Sequence, residues 1–168
     1  MSGRVLKVVI IDDQPVIRQA LTALLRGEPD LQIVGQASDG EEGLKVVFAT
    51  QPDVITLDLE MPRLDGFAFL RLLMAKQPRP VVIVSSHATR ESVFRALELG
   101  AVEFVAKPSR IASDADLQPI RDDLLRKLRT VTQLSIRSVA ERMRLHGQGV
   151  RLRTRSSEDL LSDRKSVV

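Results

Sequence analysis

Up to about residue 108 the chain alternates short apolar runs with amphipathic stretches. Val5-Leu6-Lys7-Val8-Val9-Ile10-Ile11 is β-branched and nearly continuous, the pattern of a strand buried on both faces. Pro15 suits a helix first turn, and Val16, Ile17, Ala20, Leu21, Leu24 and Leu25 recur behind it at helical spacing. Gly27 and Pro29 stop that helix. Leu31-Gln32-Ile33-Val34-Gly35 reads as a second strand. Asp39-Gly40-Glu41-Glu42 reads as a turn and helix start, with Leu44, Val47 and Phe48 as the apolar face.

The alternation recurs three more times. Val54–Leu57, Val81–Val84 and Val102–Val105 are predicted strands. Phe67–Met74 and Glu91–Leu99 are predicted helices, the latter closed by Gly100. Strands alternating with helices of this length predict a parallel sheet with helices on both faces. Residues 109–114 form a polar loop, and a last helix is predicted to start near Asp116–Pro119. Its stripe is Leu117, Ile120, Leu124, Leu128 and Val131. Leu134, Val139 and Met143 can extend it to about residue 145, long for a helix that closes a small α/β domain. Gly147-Gln148-Gly149 breaks it, and 150–168 reads as an Arg- and Ser-rich linker or tail.

Composition narrows the chemistry more than the fold. With 43% hydrophobic and 28% charged residues in 168, the chain can bury one core. No apolar run approaches the ~20 residues of a bilayer span, and the first residues lack a signal-peptide layout, so a cytoplasmic location with no membrane contact is expected. Cysteine is absent, which excludes disulfides, thiolate metal sites and Cys nucleophiles. His87 and His146 are the only histidines, too few for a multi-histidine zinc site. The net charge of +3 hides an asymmetry: residues 1–120 carry 13 basic and 16 acidic side chains, residues 121–168 carry 12 and 6. The basic character therefore belongs to the end of the chain.

In a doubly wound parallel sheet the ligand site lies beyond the carboxyl ends of the strands. Asp12 and Asp13 follow the first apolar run, Asp58 the third, Ser85 and Ser86 the fourth, and Lys107-Pro108 the fifth. Singly, each is an ordinary cap, turn or solvated residue; jointly, all are predicted at one end of the sheet. Three carboxylates together need a neutralising cation, and an oxygen-only set without His or Cys suits Mg2+. A lysine ammonium and a small hydroxyl suit a bound phosphate. Together they describe phosphoryl transfer onto an aspartate.

The run Ile10-Ile11-Asp12-Asp13, then Asp58 with Met61-Pro62-Arg63-Leu64-Asp65-Gly66, then Val84-Ser85 and Lys107-Pro108, resembles the receiver domain of bacterial response regulators over roughly residues 4–130. The resemblance implies a flavodoxin-like (CheY-like) α/β fold, a five-stranded parallel sheet of order 2-1-3-4-5, here with an extended C-terminal helix. It divides the chain into a receiver over 1–130 and a helical extension with a basic linker or tail over 131–168. It implies that Asp58 is the phosphoacceptor. Asp13, Asp58 and the backbone carbonyl of Glu60 would ligate Mg2+, with Asp12 nearby, and Ser85 and Lys107 would meet the phosphoryl group. Ser85 precedes Lys107 by 22 positions, which favours it over Ser86. Phe104 takes the place of the switch aromatic; on its residue pattern alone it is a core residue. The donor would be a sensor histidine kinase.

Asp53–Pro62, Pro80–His87 and Arg95–Pro108 are similar, within that family, to the receiver of chemotaxis protein-glutamate methylesterases, where a linker and a serine hydrolase domain follow. This chain has no Gly-x-Ser-x-Gly segment. The output is therefore expected to be an output domain missing from this chain or a separate partner protein. An aspartate-nucleophile phosphatase is disfavoured, because the first-strand carboxylates are adjacent rather than alternate. Nucleic-acid binding through Arg151, Arg153, Arg155, Arg164 and Lys165 is disfavoured too, since no helix-turn-helix fits and Tyr and Trp are absent. Leu134, Val139 and Met143 leave open a homodimer through the long last helix.

Overall fold

A computed structural model describes residues 3–132 and, further on, 141, 144 and 145. Five strands and four helices alternate: β1 (Leu6–Ile11), α1 (Pro15–Arg26), β2 (Leu31–Ala37), α2 (Gly40–Thr50), β3 (Val54–Leu57), α3 (Gly66–Lys76), β4 (Val81–Ser85), α4 (Arg90–Glu98) and β5 (Glu103–Ala106). A 3₁₀ segment over Asp114–Ile120 leads into a fifth helix, α5, which occupies 121–132. All neighbouring strands pair in parallel, in the order β2-β1-β3-β4-β5.

Side chains alternate across each strand, so each central strand feeds two cores. Val8 and Ile10 of β1 pack with Leu21 and Leu25 of α1 and with Leu124 and Leu128 of α5. Val9 and Ile11 face the other way, into Val47 of α2, Phe69 and Leu73 of α3 and Ala96 of α4. These side chains are almost completely buried, and each contributes on the order of 2 kcal/mol of transfer free energy. Local chemistry sets where the helices begin. Asp39, Asp65 and Thr89 cap α2, α3 and α4 by accepting from the backbone N–H of Glu42, Ala68 and Ser92.

Two boundaries depart from the periodicity. β2 continues to Ala37, because a register shift between Val8 and Val9 keeps β1 and β2 paired past Gly35. The regular helix expected from Asp116–Pro119 starts only at 121. Pro119 sits inside the 3₁₀ segment and has no N–H for a helical ladder. The Asp116 carboxylate accepts instead from the N–H groups of Ala112 and Ser113, which stabilises the tighter turn. Leu117 is nonetheless buried there, and Leu124, Leu128 and Val131 are buried on α5 as the stripe predicts. Leu125 joins them, outside the stripe. Leu134, Val139, Met143 and the basic positions from Arg151 to Lys165 lie outside the described residues.

Candidate functional site

Strand register assembles the site. Ile11 pairs with Leu57, so Asp12 and Asp58 leave β1 and β3 side by side, joined where the Asp58 N–H donates to the Ile11 carbonyl at 3.0 Å. Ser85 pairs with Ala106, and the Lys107 N–H donates to the Ser85 carbonyl at 3.0 Å. Four strand ends thus deliver Asp12, Asp13, Asp58, Ser85 and Lys107 to one edge. Each of the three aspartates offers a carboxylate oxygen, and these oxygens lie within 4.8 Å of one another.

Lys107 is the cluster's internal counter-charge. Its Nζ lies 2.6 Å from Asp12 Oδ2 and 3.3 Å from Asp58 Oδ2, with all three side chains buried. One ammonium cannot balance three carboxylates in so enclosed a place. Burial pushes the Asp58 carboxyl up to about 6, with Asp12 adding to the rise and Lys107 opposing it. Burial likewise raises Asp12 from the ordinary carboxylate range, against the pull of Lys107. Two negative charges stay uncompensated when all three aspartates are ionised, and the donors are oxygens alone. That set fits a small, hard divalent cation such as Mg2+.

The loop after β3 is held at several points. The Gly66 N–H donates to the Leu59 carbonyl, and the Gly40 N–H to the Leu64 carbonyl. Neither glycine has room for a side chain: a Cβ at Gly66 would fall on the Asp58 carbonyl, and one at Gly40 on the Leu64 carbonyl. Glu60 turns its backbone N–H toward Asp58 Oδ1 at 3.4 Å. Its exposed side chain meets His87 Nδ1 at 2.9 Å, spanning from this loop to the one after β4.

Of the predicted residues, Asp12, Asp58, Ser85 and Lys107 are buried at the carboxyl edge, and Asp13 is half-buried beside them. Ser85 is fully buried while Ser86 is exposed, which separates the two adjacent hydroxyls. The Ser85 Oγ accepts from the His87 N–H at 3.3 Å. Phe104 is half-buried against the α2–α3–α4 side of the core. Two supporting groups escaped the sequence reading. The Arg18 guanidinium donates to the Asp12 carbonyl at 2.6 Å. Arg63 adopts a left-handed backbone with φ of 64° and reaches Asp39. Arg18 follows Asp12 by six positions and is a generic helix cation in sequence. A left-handed arginine carries no sequence signal, because glycine or asparagine normally occupies that conformation.

The profile of the response regulator receiver domain matches residues 8–114. The chain is 47% identical over 141 residues to protein-glutamate methylesterase/protein-glutamine glutaminase 3 of Geobacter sulfurreducens, covering 84% of this chain and 38% of that protein. It is 50% identical over 128 residues to the corresponding protein 1 of Myxococcus xanthus, covering 76% of this chain and 37% of that one. The chain thus spans under two fifths of the length of these relatives. The response regulator domain of Thermotoga maritima CheB superposes with a TM-score of 0.73 at 36% identity, over 79% of this chain and 99% of that one. A chain of the CheX–CheY–BeF3–Mg2+ complex from Borrelia burgdorferi superposes with a TM-score of 0.63 at 27% identity, covering 77% and 90%.

Proposed function

The chain belongs to the response regulator receiver domain family, and from that membership we propose that it is a phosphorylation switch with Asp58 as the acceptor. The observation that carries the reading is the packing of Asp58 against Lys107 and Asp12 at the carboxyl edge of the sheet. The donor is the phosphohistidine of a sensor histidine kinase. An Asp58 carboxylate oxygen forms a bond to phosphorus as the phosphorus–nitrogen bond breaks, leaving an acyl phosphate on Asp58, and the departing ring, protonated on its other nitrogen, is left on the kinase as the neutral imidazole.

Each side chain has a distinct task. Asp13, Asp58 and the Glu60 carbonyl would hold Mg2+, with Asp12 beside them. When bound, the ion neutralises the carboxylates and the charge gathering on the phosphoryl oxygens. The Mg2+ and BeF3 of the similar Borrelia complex support that assignment. Lys107 reaches Asp58 at 3.3 Å and pairs with the incoming group. Ser85 offers its hydroxyl to a phosphoryl oxygen, and Phe104 responds by deeper burial.

The chain carries a receiver and no methylesterase domain. Its resemblance to the leading two fifths of methylesterases supports a chemotaxis methylesterase as the regulated output, in the cytoplasm. Mass spectrometry after exposure to acetyl phosphate and Mg2+ tests the acceptor. One phosphoryl adduct on wild type, absent from Asp58→Asn, is expected. An adduct that survives the substitution would overturn the assignment.

A further inference from the structure

Arg63 stands out because its conformation works against it. A non-glycine residue at φ of 64° is sterically disfavoured. Its guanidinium compensates by gripping one carboxylate: Nε lies 2.9 Å and Nη2 2.8 Å from Asp39 Oδ2. That carboxylate is buried and has a second duty. Its Oδ1 accepts from the Glu42 N–H at 2.8 Å and caps α2. A salt bridge from an exposed arginine to a buried, pre-positioned carboxylate differs from a surface pair, since only one partner gives up conformational freedom.

The pair spans two segments 24 residues apart in sequence. On one side is the start of α2. On the other is the loop that runs from Asp58 through Glu60 to Asp65, the cap of α3. One residue beyond Arg63, the Leu64 carbonyl accepts from the Gly40 N–H at 3.0 Å, so the attachment is double. At its other end the loop is fixed by the Gly66 N–H on the Leu59 carbonyl at 3.1 Å. Between these anchors lie Glu60, Met61 and Pro62, which have no backbone bond to another element among the described contacts.

We propose that Arg63 and Asp39 form a latch that positions the β3–α3 loop, holding the Glu60 carbonyl where a divalent cation shared with Asp13 and Asp58 can use it. Arg63 is a positioning residue. It touches neither the cation nor the phosphoryl group and acts through the loop alone. The inference rests on the metal reading given above. It adds that cation affinity in this protein depends on an ion pair outside the carboxylate cluster. Groups that orient metal ligands from outside the coordination shell typically change metal affinity about 10–100-fold when removed.

The test uses Mn2+ as the probe, with free ion counted by electron paramagnetic resonance, because the chain has no Trp or Tyr to report binding. Arg63→Gly removes the guanidinium and the backbone strain together. Asp39→Asn keeps an equally good helix cap and removes the ionic partner. Both are expected to weaken Mn2+ binding at least about tenfold, and the double variant is expected to be no weaker than either single one. Asp58 phosphorylation by acetyl phosphate should then need more Mg2+ for half-saturation, while its rate at saturating Mg2+ stays within about twofold, a split that general unfolding cannot produce. Mn2+ affinity unchanged in both variants, with wild type binding normally and Asp13→Asn binding poorly, would overturn the latch and leave the metal reading intact. Wild type that binds no Mn2+ would overturn the metal reading and the latch with it.

Discussion

A carboxyl group enclosed as deeply as that of Asp58 is costly as an anion. Burial raises it to about 6 from an ordinary 3.8, so the native state binds a proton more tightly than the unfolded chain. The sign follows from linkage. The contribution of Asp58 is most favourable below about 3.8, falls as pH rises from there to about 6, and is constant above. At neutral pH the charged group costs the metal-free fold on the order of 2–3 kcal/mol. Asp58→Asn removes that cost, and Lys107 keeps Asp12 as a partner at 2.6 Å. In chelator at pH 7.5 the substitution should raise Tm by about 5 °C or more, with the gain shrinking as pH falls from 6 toward 4. A gain that grew on acidification would show that Asp58 is not the strained carboxylate. Residues such as Asp12, Asp13, Asp58 and Lys107 were legible in the sequence because strand ends must project at one edge. Arg63 was not: its role depends on a backbone conformation and on a partner 24 residues away, and neither leaves a periodic trace.

At the scale of elements, α5 shows where pattern and structure part. Its apolar stripe announces the helix and its buried face, yet the helix starts later than the spacing predicts because spacing ignores what Pro119 does to the ladder. Leu125 lies outside that stripe because one run of i+3/i+4 steps describes a narrow seam, whereas α5 buries a wider face in the core it shares with α1 and the sheet. Polar contacts then fix it laterally. Arg129 pairs with Glu28 at 2.6 Å and with Asp30 at 2.8 Å, Arg121 also reaches Glu28, and Lys127 donates to the Phe104 carbonyl at 2.7 Å. The apolar and ionic parts should differ in weight. Leu128 is fully buried, and Leu128→Ala should cost about 2–5 kcal/mol in urea unfolding. Arg129 is partly exposed, and Arg129→Ala should cost about 1 kcal/mol or less, more at low salt than at high. Equal costs would mean that α5 is held by its charges.

For the molecule as a whole, the question is where the switch ends. The core on the α1 side takes Leu124, Leu125, Leu128 and Val131 from α5, and Val131 is the last of them among the described residues. Without this helix the apolar cluster that α1, the sheet and α5 share would lose one of its walls. Among the described residues the carboxylate cluster receives nothing from beyond Lys107, and the matched receiver profile stops at 114, short of the helix that seals the core. Profile and physics therefore give different ends for one unit, and the physical end is the later one. We propose a receiver closed near 130, as the division of the sequence anticipates. A chain shortened to 1–132 should melt within a few degrees of the full chain and accept the phosphoryl group of acetyl phosphate at the same rate within about twofold. A chain shortened to 1–120 keeps every residue of the site and all of the matched profile, yet loses four buried side chains worth on the order of 2 kcal/mol each, more than half of the 5–15 kcal/mol that holds an ordinary domain together. It should be unfolded by circular dichroism and inert to acetyl phosphate. A folded, reactive 1–120 would place α5 outside the switch, as an arm of whatever output the chain serves.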